Sequence, residues 1–427
     1  MTTISDLPYD LLPEILSRLP TKSIPKLKTT CKKWYALFKD PKFVEKKLGK
    51  AARETVFLMN HEVNSISVDI HGIPKGYSAS MDFTGTLTIP EGSDLEIFRI
   101  HHCNGLFLCA TMNCRLVVWN PCTGQITWII PRTRYDSDDI YALGCGDDKS
   151  SSLHSYKILR CCDDNQKKPV SEIYDFSSSS WRVLDGVTAN CFIECNGVTL
   201  KESAYWYASD KRETPKGKFI LRFDFATERF ARLCLPLNFQ RDRDNKSVVV
   251  SVVGEEKLAL LQQFDHRVHG LKYSKIKIWV TDTKIGEGKD LSWSNILVEE
   301  LADDNLPSVT SFLLDEEKKV AVCSDAVCSD TDTEDEDRRR IYIVGEGVDE
   351  FVYDEVSTET SHNWPFLVSY VPNLVHIEKD APIVEVQRKR KRQKVSQMNC
   401  LSFYLAFSFG HVPFNEIRQS LVGIVSI

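Results

Sequence analysis

Near its amino terminus the chain carries Leu7-Pro8-Tyr9-Asp10-Leu11-Leu12-Pro13-Glu14-Ile15-Leu16-Ser17-Arg18-Leu19-Pro20, a stretch whose apolar residues recur at helical spacing. From Leu12 to Leu19 they fall at positions i, i+3, i+4 and i+7, which predicts one apolar face on a helix. Pro8 can open this helix because its missing N–H would have no partner in the first turn. Pro20 ends it.

Further short helices are predicted up to about residue 48. Thr21 and Ser23 can cap the second, and Asp40 with Pro41 can begin the fourth. This run carries more apolar surface than about fifty residues can bury among themselves. The surplus predicts a partner surface, and the alternative is an ordinary small helical domain.

The order and spacing of these residues resemble the F-box motif of plant F-box proteins over residues 4 to 48. The matching positions are Leu7-Pro8-x-Asp10-Leu11-Leu12-x-Glu14-Ile15-Leu16-x-Arg18-Leu19-Pro20, Lys22-Ser23, Lys28, Cys31-Lys32-x-Trp34 and Asp40-Pro41-x-Phe43. Pro13 and Pro25 depart from the helix formers usual in the family. The resemblance implies docking on a Skp-type adaptor, which links the chain to a cullin ubiquitin ligase.

By the same resemblance, a set of apolar side chains forms the docking face or its support. The set is Leu7, Pro8, Leu11, Leu12, Ile15, Leu16, Leu19, Pro20, Ile24, Leu27, Cys31 and Trp34. Some of these must pack the helical module itself, and the sequence does not separate them from the contacting residues.

The charge of the chain is divided unevenly. Residues 1–50 carry eleven Lys and Arg against five Asp and Glu, a net charge of +6, so the total of −6 leaves −12 for residues 51–427. A basic module is steered toward an acidic partner. Skp-type adaptors are acidic, as the resemblance implies, and the apolar stripe favours a protein partner over nucleic acid.

The composition predicts a globular protein of two or three domains, since the chain has 427 residues, 42% hydrophobic and 27% charged. No apolar run approaches the roughly 20 residues of a membrane span, and the first residues lack a secretory signal. Fourteen scattered cysteines indicate reduced thiols. We therefore expect a location in the nucleus and/or the cytoplasm, without membrane binding.

From about residue 53 the apolar period changes from that of helices to that of strands. Thr55–Met59 and Ser65–Ile70 are early examples, and one hairpin pattern then repeats: an apolar strand with an aromatic, a polar turn and a second strand. The repeated pairs are 116–120 with 126–130, 172–175 with 181–184, 220–224 with 229–233, 276–280 with a strand near Trp293, and 341–344 with 351–353.

The repeat spacing indicates a β-propeller. Its aromatics Trp119, Tyr174, Phe223, Trp279 and Tyr342 are 55, 49, 56 and 63 residues apart. A period near 50 is typical of kelch-like blades, although the double glycine of kelch repeats is missing. The fold class predicted is therefore an α+β multidomain chain, with a small all-α F-box followed by a mainly β, kelch-like propeller of six or seven blades. A pair of β-sandwiches is the alternative.

The β region also resembles the F-box-associated interaction domain of the same plant proteins. The resemblance is carried by 103–109 (Cys-Asn-Gly-Leu-Phe-Leu-Cys), 118–124 (Val-Trp-Asn-Pro-Cys-Thr-Gly), 173–176 and 180–182. Asn104-Gly105 can supply the positive φ of a tight hairpin, and Asn120-Pro121 can start a turn. The family uses this domain to hold the protein that the ligase ubiquitinates.

The predicted domains are thus 1–50 for the F-box, 51–378 for the propeller-like interaction domain and 379–427 for a poorly ordered tail. An acidic stretch, 329–337, is predicted to be an inter-strand loop, with phosphorylation as the alternative. The tail is basic at 388–394, which suggests nuclear import or simply an exposed basic segment. It turns apolar from Cys400, and the sequence leaves open whether it packs on the β domain, closes its ring or is an unselected extension of the transcript.

Residues capable of chemistry do not form a recognisable site. His101-His102-Cys103 with Cys109, and Cys191 with Cys195, lack the paired spacing of metal ligands. The adjacent Cys161-Cys162 pair is not expected to form a relaxed disulfide. Phosphate-binding loops and nucleophile elbows are also missing. We expect no catalytic residue, no cofactor and no metal.

The function expected is that of a substrate-recognition subunit of an SCF-type (Skp-cullin-F-box) ubiquitin ligase. Its partners would be a Skp-type adaptor, cullin through that adaptor, and a target protein of unknown identity, with no nucleic acid. Two alternatives remain: a propeller that binds a sugar or another small molecule, and an adaptor-bound scaffold that does not promote degradation.

Overall fold

The computed structural model describes residues 15–16, 31–37, 40 and 43, and then residues 54–375 with gaps. The gaps are 60, 70–79, 88–95, 113–114, 134–138, 147–155, 164–167, 186–190, 211–216, 240–244, 255, 269–270, 286–290, 302–307, 328–337, 347, 357–364 and 374. The predicted tail, 379–427, lies outside the described residues, as do the acidic stretch and the basic segment within it.

The described part of the amino-terminal region is helical. Helix α1 spans Lys32–Leu37 and buries Trp34. Ile15, Leu16 and Phe43 also have helical backbone, and the side chains of Leu16 and Phe43 are buried. Among the described residues, no helix is long and apolar enough to cross a membrane.

The rest of the described chain consists of 25 strands in six sheets. The first sheet contains β1 (Glu54–Met59), β2 (Glu62–Asp69) and β3 (Ser80–Leu87). The last described strand, β25 (Phe366–Tyr370), completes this sheet by pairing with β1. The second sheet is β4 (Ile97–Cys103), β5 (Leu106–Thr111), β6 (Leu116–Asn120) and β7 (Gln125–Ile129). The third is β8 (Ile140–Cys145), β9 (Tyr156–Asp163), β10 (Pro169–Asp175) and β11 (Ser180–Val183).

The fourth sheet is β12 (Cys191–Ile193), β13 (Val198–Leu200), β14 (Ser203–Asp210), β15 (Lys218–Asp224) and β16 (Arg229–Leu233). The fifth is β17 (Asn245–Val253), β18 (Lys257–Val268), β19 (Leu271–Thr281) and β20 (Trp293–Leu301). The sixth is β21 (Val309–Asp315), β22 (Val320–Val327), β23 (Arg338–Gly345) and β24 (Val348–Val356).

These sheets are the six blades of a β-propeller. Neighbouring strands within each are antiparallel, and the innermost strands of neighbouring blades contact one another, as β17 contacts β21 and β21 contacts β25. The prediction of six or seven blades is thus resolved to six, and the β-sandwich alternative is wrong. The ring is closed by β25, which pairs with β1 in a register that sets Leu367 opposite Phe57.

The apolar core lies between the blades rather than within any one of them. Each of six buried clusters joins the facing surfaces of two neighbouring blades. Trp119 of the second blade, for example, belongs to the cluster that also contains Tyr370 of the first. A single four-stranded sheet cannot bury both of its faces, so stacking supplies most of the burial.

The five hairpins predicted from the sequence are confirmed: β6–β7, β10–β11, β15–β16, β19–β20 and β23–β24 are all paired. The turns of the first three of these hairpins contain the same kind of side-chain hydrogen bond. The Oδ1 atoms of Asn120, Asp175 and Asp224 each accept a backbone N–H two residues on, at 3.0, 2.8 and 3.1 Å. Such Asx turns fix the chain reversal locally.

Candidate interaction sites

Four of the twelve predicted adaptor-binding residues lie among the described residues. Ile15 is 38% exposed and Cys31 is exposed, whereas Leu16 is 0% and Trp34 is 9% exposed. These exposures distinguish residues that pack the helical module from residues that can contact a partner. Leu16 and Trp34 can support the helices, and Ile15 can offer an apolar contact. The others lie outside the described residues: Leu7, Pro8, Leu11, Leu12, Leu19, Pro20, Ile24 and Leu27.

The two turn motifs of the second blade meet the segment that follows β25. Asn120 Nδ2 donates to Asn373 Oδ1 at 2.9 Å and to the Val375 carbonyl at 2.8 Å, and both asparagine side chains are buried. Asn373 Nδ2 donates in turn to the Asn104 carbonyl. The sequence identified Asn104 and Asn120 only as turn formers. Their contact with Asn373 attaches the end of the propeller to its second blade.

The tight β4–β5 turn has the predicted geometry. Asn104 and Gly105 have φ values of 45° and 76°, and the Gly105 N–H donates to His102 Nε2 at 3.0 Å. A Cβ at Gly105 would lie 2.6 Å from the Val371 carbonyl oxygen. Glycine is therefore required here both for its backbone conformation and for the close approach of the carboxy-terminal segment.

The fourth blade differs from the others in its innermost strand. In place of one continuous strand, β12 and β13 each pair with part of β14, and residues 194–197 lie between them. At this break the Tyr207 N–H donates to the Cys195 Sγ at 3.2 Å, a sulfur in place of a backbone oxygen. Strand β13 also contacts β4, β8 and β17, which are the innermost strands of the second, third and fifth blades.

A small recess lies beside this break. Its walls come from the second, third and fourth blades and are formed by Arg99, His101, Ile140, Ile193, Cys195, Asn196, Gly197 and Trp206. Its cavity volume is about 10 Å³, which is space for about one water molecule. This size does not favour the predicted alternative of a sugar site here. Sequence reasoning missed the recess because only the fold brings these blades together.

Two buried nitrogens of the recess have no hydrogen-bond partner among the described residues: His101 Nε2 and Trp206 Nε1. Burial, together with the charge of Arg99, lowers the pKa of His101 to about 3, so the imidazole is neutral at physiological pH. Burial raises the pKa of the Cys195 thiol to about 12, so that group is neutral as well.

The candidate metal ligands named from the sequence do not come together. His101 and His102 are consecutive on β4 and point to opposite faces; His102 contacts the rings of Phe107 and Tyr370. Cys191 and Cys195 belong to two different apolar clusters. The described residues contain no group of three or more His, Cys, Asp or Glu side chains able to hold a metal ion.

Exposed apolar side chains are distributed over the propeller. Phe83 on β3 and Phe351 on β24 are 47% and 40% exposed, and Tyr353 contacts the Phe83 ring with a centroid distance of 5.7 Å. They lie where the outer strands of the first and sixth blades meet. Ile130, Phe192, Leu237 and Val298 are exposed on other blades. Single exposed residues of this kind are ordinary and do not by themselves select a binding surface.

Comparison with known proteins gives two family matches. The F-box domain matches residues 4–46, and the F-box associated beta propeller domain matches residues 54–377. Among the similar proteins of Arabidopsis thaliana, "Putative F-box/kelch-repeat protein At3g17540" is 50% identical over 402 residues, covering 92% of this chain and 96% of that protein. "F-box/kelch-repeat protein At3g17530" is 48% identical over 395 residues, with coverages of 89% and 97%.

Proposed function

The chain belongs to the plant F-box proteins that carry an F-box associated β-propeller domain, and on that premise we propose that it is the target-recognition subunit of an SCF-type ubiquitin ligase. In this role the F-box binds a Skp-type adaptor and, through it, cullin. The propeller holds a protein that the assembled ligase ubiquitinates.

The observation that carries this proposal is the presence of both modules on one chain. The F-box match ends at residue 46 and the propeller match begins at residue 54. A linkage this short keeps whatever the propeller holds close to the adaptor. The exposed Ile15 and the buried Leu16 and Trp34 fit a helical module with an internal support and an outward apolar contact.

The chain's contribution to ubiquitin transfer would be proximity rather than chemistry. Holding two reactants together can lower a barrier by several kcal/mol without any catalytic residue on the holding protein. We propose accordingly that the chain is a non-catalytic receptor without a cofactor, and that it works in the nucleus and/or the cytoplasm, where adaptor, cullin and thiol-reducing conditions coincide.

The test compares proteins captured by the full chain in plant cells with those captured by its Ile15→Asp variant. Because Ile15 is distant in sequence from the propeller, we expect both to capture the same targets, and only the unaltered chain to increase their ubiquitination. Equal ubiquitination with both chains would contradict the proposal. If the unaltered chain holds adaptor and target together without raising ubiquitination, the non-degradative scaffold is the correct role.

A further inference from the structure

We propose that the free edge of the fourth blade is a docking site for an extended, acidic segment of a partner protein. The site consists of strand β16 (Arg229–Leu233) and the corner that follows it, residues 234–239, and is called the β16 edge below. The inference deepens the proposed function, because the partner would be the target of the ligase. It rests on that function only for what happens to the bound protein.

The first argument is the open backbone of β16. This strand is the last in the pairing order of the fourth blade, and among the described strands it pairs only with β15. Its other edge presents backbone N–H and C=O groups that an added strand can bind. All five residues of β16 are exposed or half-buried, whereas the outer strands β7 and β20 each include buried residues. A partner segment can therefore reach β16 along its whole length.

The second argument is charge. Strand β16 carries two arginines and no acidic residue, whereas the outer strands β20 and β24 carry two and four acidic residues and no basic one. Arg229 is exposed and forms no ion pair with a described residue. The side chain of Arg232 is 50% exposed and binds Asp210 through Nη1 at 2.7 Å. Because a guanidinium has five N–H donors, Arg232 can bind a second carboxylate as well.

The two arginines lie on opposite faces of β16, since they are three positions apart and side chains alternate along a strand. Arg232 contacts the ring of Phe219, which belongs to the apolar cluster shared with the third blade. Arg229 lies on the face of Leu233, which packs against the cluster shared with the fifth blade. Opposite charges on neighbouring strands stabilise their pairing. An added strand therefore binds both arginines best through two acidic residues that are also three positions apart.

The third argument is an exposed leucine on the corner that follows β16. Leu237 is 104% exposed, yet the corner that carries it is fixed. Phe239 is buried between the fourth and fifth blades, and its N–H donates to the Pro236 carbonyl at 3.0 Å. Trp293 Nε1 of the fifth blade donates to the Cys234 carbonyl, also at 3.0 Å. An apolar side chain that is already held in place can bind a partner with little loss of entropy.

The three features together favour a peptide as the ligand. A free strand edge is matched by the main chain of an extended segment, and arginine guanidinium groups are matched by its carboxylates. Leu237 is matched by an apolar side chain of the same segment. Nucleic acid would supply phosphates for the arginines, but its backbone does not form the hydrogen bonds of a β-strand.

The proposal is tested by selecting peptides on the purified full chain. Random dodecapeptides displayed on phage are selected against the unaltered chain, and the affinity of the best one is measured with a labelled synthetic peptide. The variants Arg229→Gln, Arg232→Gln and Leu237→Ser each remove one part of the β16 edge. The matched controls are Arg115→Gln and Val298→Ser, at exposed positions of the second and fifth blades. Thermal unfolding establishes that each variant is folded.

We expect the selected peptides to carry two acidic residues three positions apart together with an apolar residue. Arg229→Gln and Arg232→Gln should each weaken binding about tenfold, as loss of a charged hydrogen bond does. Leu237→Ser should weaken it about fivefold, and the two controls should leave it unchanged. Methylation of single main-chain nitrogens of the peptide should weaken binding at alternate residues only, because every second N–H of an added strand faces β16.

The proposal is overturned if no peptide is selected, or if the selected peptides bind the three edge variants as tightly as the unaltered chain. A methylation scan without alternation overturns it as well. The selection uses no adaptor, so its outcome is separate from that of the proposed function. Peptide binding that persists in Ile15→Asp supports the β16 edge even where adaptor binding is lost. Adaptor binding without any selected peptide removes this inference and leaves the proposed function standing.

Discussion

Asn120 Nδ2 and Asn373 Oδ1 are 2.9 Å apart, although 253 positions separate the two residues in the chain. The contact joins the β6–β7 turn of the second blade to the segment that follows the ring-closing strand β25. Asn120 Oδ1 accepts the Cys122 N–H at 3.0 Å, so the same side chain both forms its turn and binds the carboxy-terminal segment. One side chain thus stabilises both its own turn and the segment that follows the ring-closing strand.

Replacing Asn120 or Asn373 by alanine should destabilise the propeller. Each change leaves buried backbone or side-chain polar groups without partners, which we expect to lower the free energy of unfolding by about 2–4 kcal/mol. Urea unfolding measures this, and the double variant should show a coupling energy of about 0.5–3 kcal/mol. Asn295→Ala, at an exposed position on β20, is the control. Additive single effects would mean that the two asparagines do not act together.

Gly105 and Gly254 provide a matched pair for separating backbone strain from crowding. Both have positive φ, 76° and 62°, but a Cβ at Gly254 meets nothing within 4 Å, whereas one at Gly105 meets the Val371 oxygen at 2.6 Å. Gly254→Ala should cost only about 1–2 kcal/mol of strain. Gly105→Ala should cost about 1–3 kcal/mol more, because the carboxy-terminal segment must move. Equal losses in thermal or urea unfolding would show that this segment does not constrain the turn.

A buried ionic group in the third blade joins β9 and β10 to Asp139, the residue that precedes β8. Arg160, which is 2% exposed, contacts the carboxylates of Asp139 at 2.7 Å and Glu172 at 3.0 Å. Arg160→Ala removes this buried cation from both carboxylates, although Glu172 still contacts the half-exposed Arg132 at 2.8 Å, and should lower the free energy of unfolding by about 3–5 kcal/mol. Arg232→Ala removes an exposed pair with Asp210 and should cost at most about 1 kcal/mol. A small loss for Arg160→Ala in urea unfolding would show that water reaches the site.

Asp325 should make the propeller less stable as the pH rises. Burial raises the pKa of this carboxyl from 3.8 to about 7, and the opposing charge of Arg340, 3.3 Å away, only partly offsets the effect. Because the folded-state pKa is the higher one, the stabilisation is complete below about pH 4 and is lost as the pH rises through about 7.

The free energy of unfolding of the native chain, relative to Asp325→Asn, should therefore fall between pH 4 and pH 8. The change should be on the order of 4 kcal/mol, because each unit of pKa difference corresponds to about 1.4 kcal/mol. Denaturant unfolding at several pH values measures it, and Glu346→Gln, at an exposed position, is the control. A difference that does not vary with pH would show that Asp325 stays ionised.

The hairpins of the propeller could be predicted from the sequence because their determinants are local. Alternating apolar residues and an Asx turn, as around Asn120 and Asp224, fix a strand pair within 14 and 16 residues, respectively. The number of blades is harder to predict from the sequence, because loops such as the one between β22 and β23 differ in length and make the repeat spacing irregular. The pairing of β1 with β25 joins the two ends of the domain, and no local sequence pattern predicts it.

For the candidate sites too, features set by neighbouring residues could be predicted from the sequence, and features set by residues far apart in the chain could not. The F-box pattern predicts a set of docking residues, but only burial in the structure distinguishes Leu16 and Trp34 from the exposed Ile15. The recess at Trp206 is assembled from three blades and depends on a break in one strand. No spacing in the sequence connects Arg99 with Gly197.

The most direct test of the account is the affinity of the full chain for a purified Skp-type adaptor, measured by calorimetry. We expect the unaltered chain to bind and Ile15→Asp to bind about thirtyfold more weakly or worse, as loss of about 2 kcal/mol at an interface hot spot implies. Val298→Asp, which places the same charge at an exposed apolar position on β20, should bind like the unaltered chain. Absence of binding by the unaltered chain, or equal binding by Ile15→Asp, would contradict the assignment of the amino-terminal helices as the adaptor-docking module.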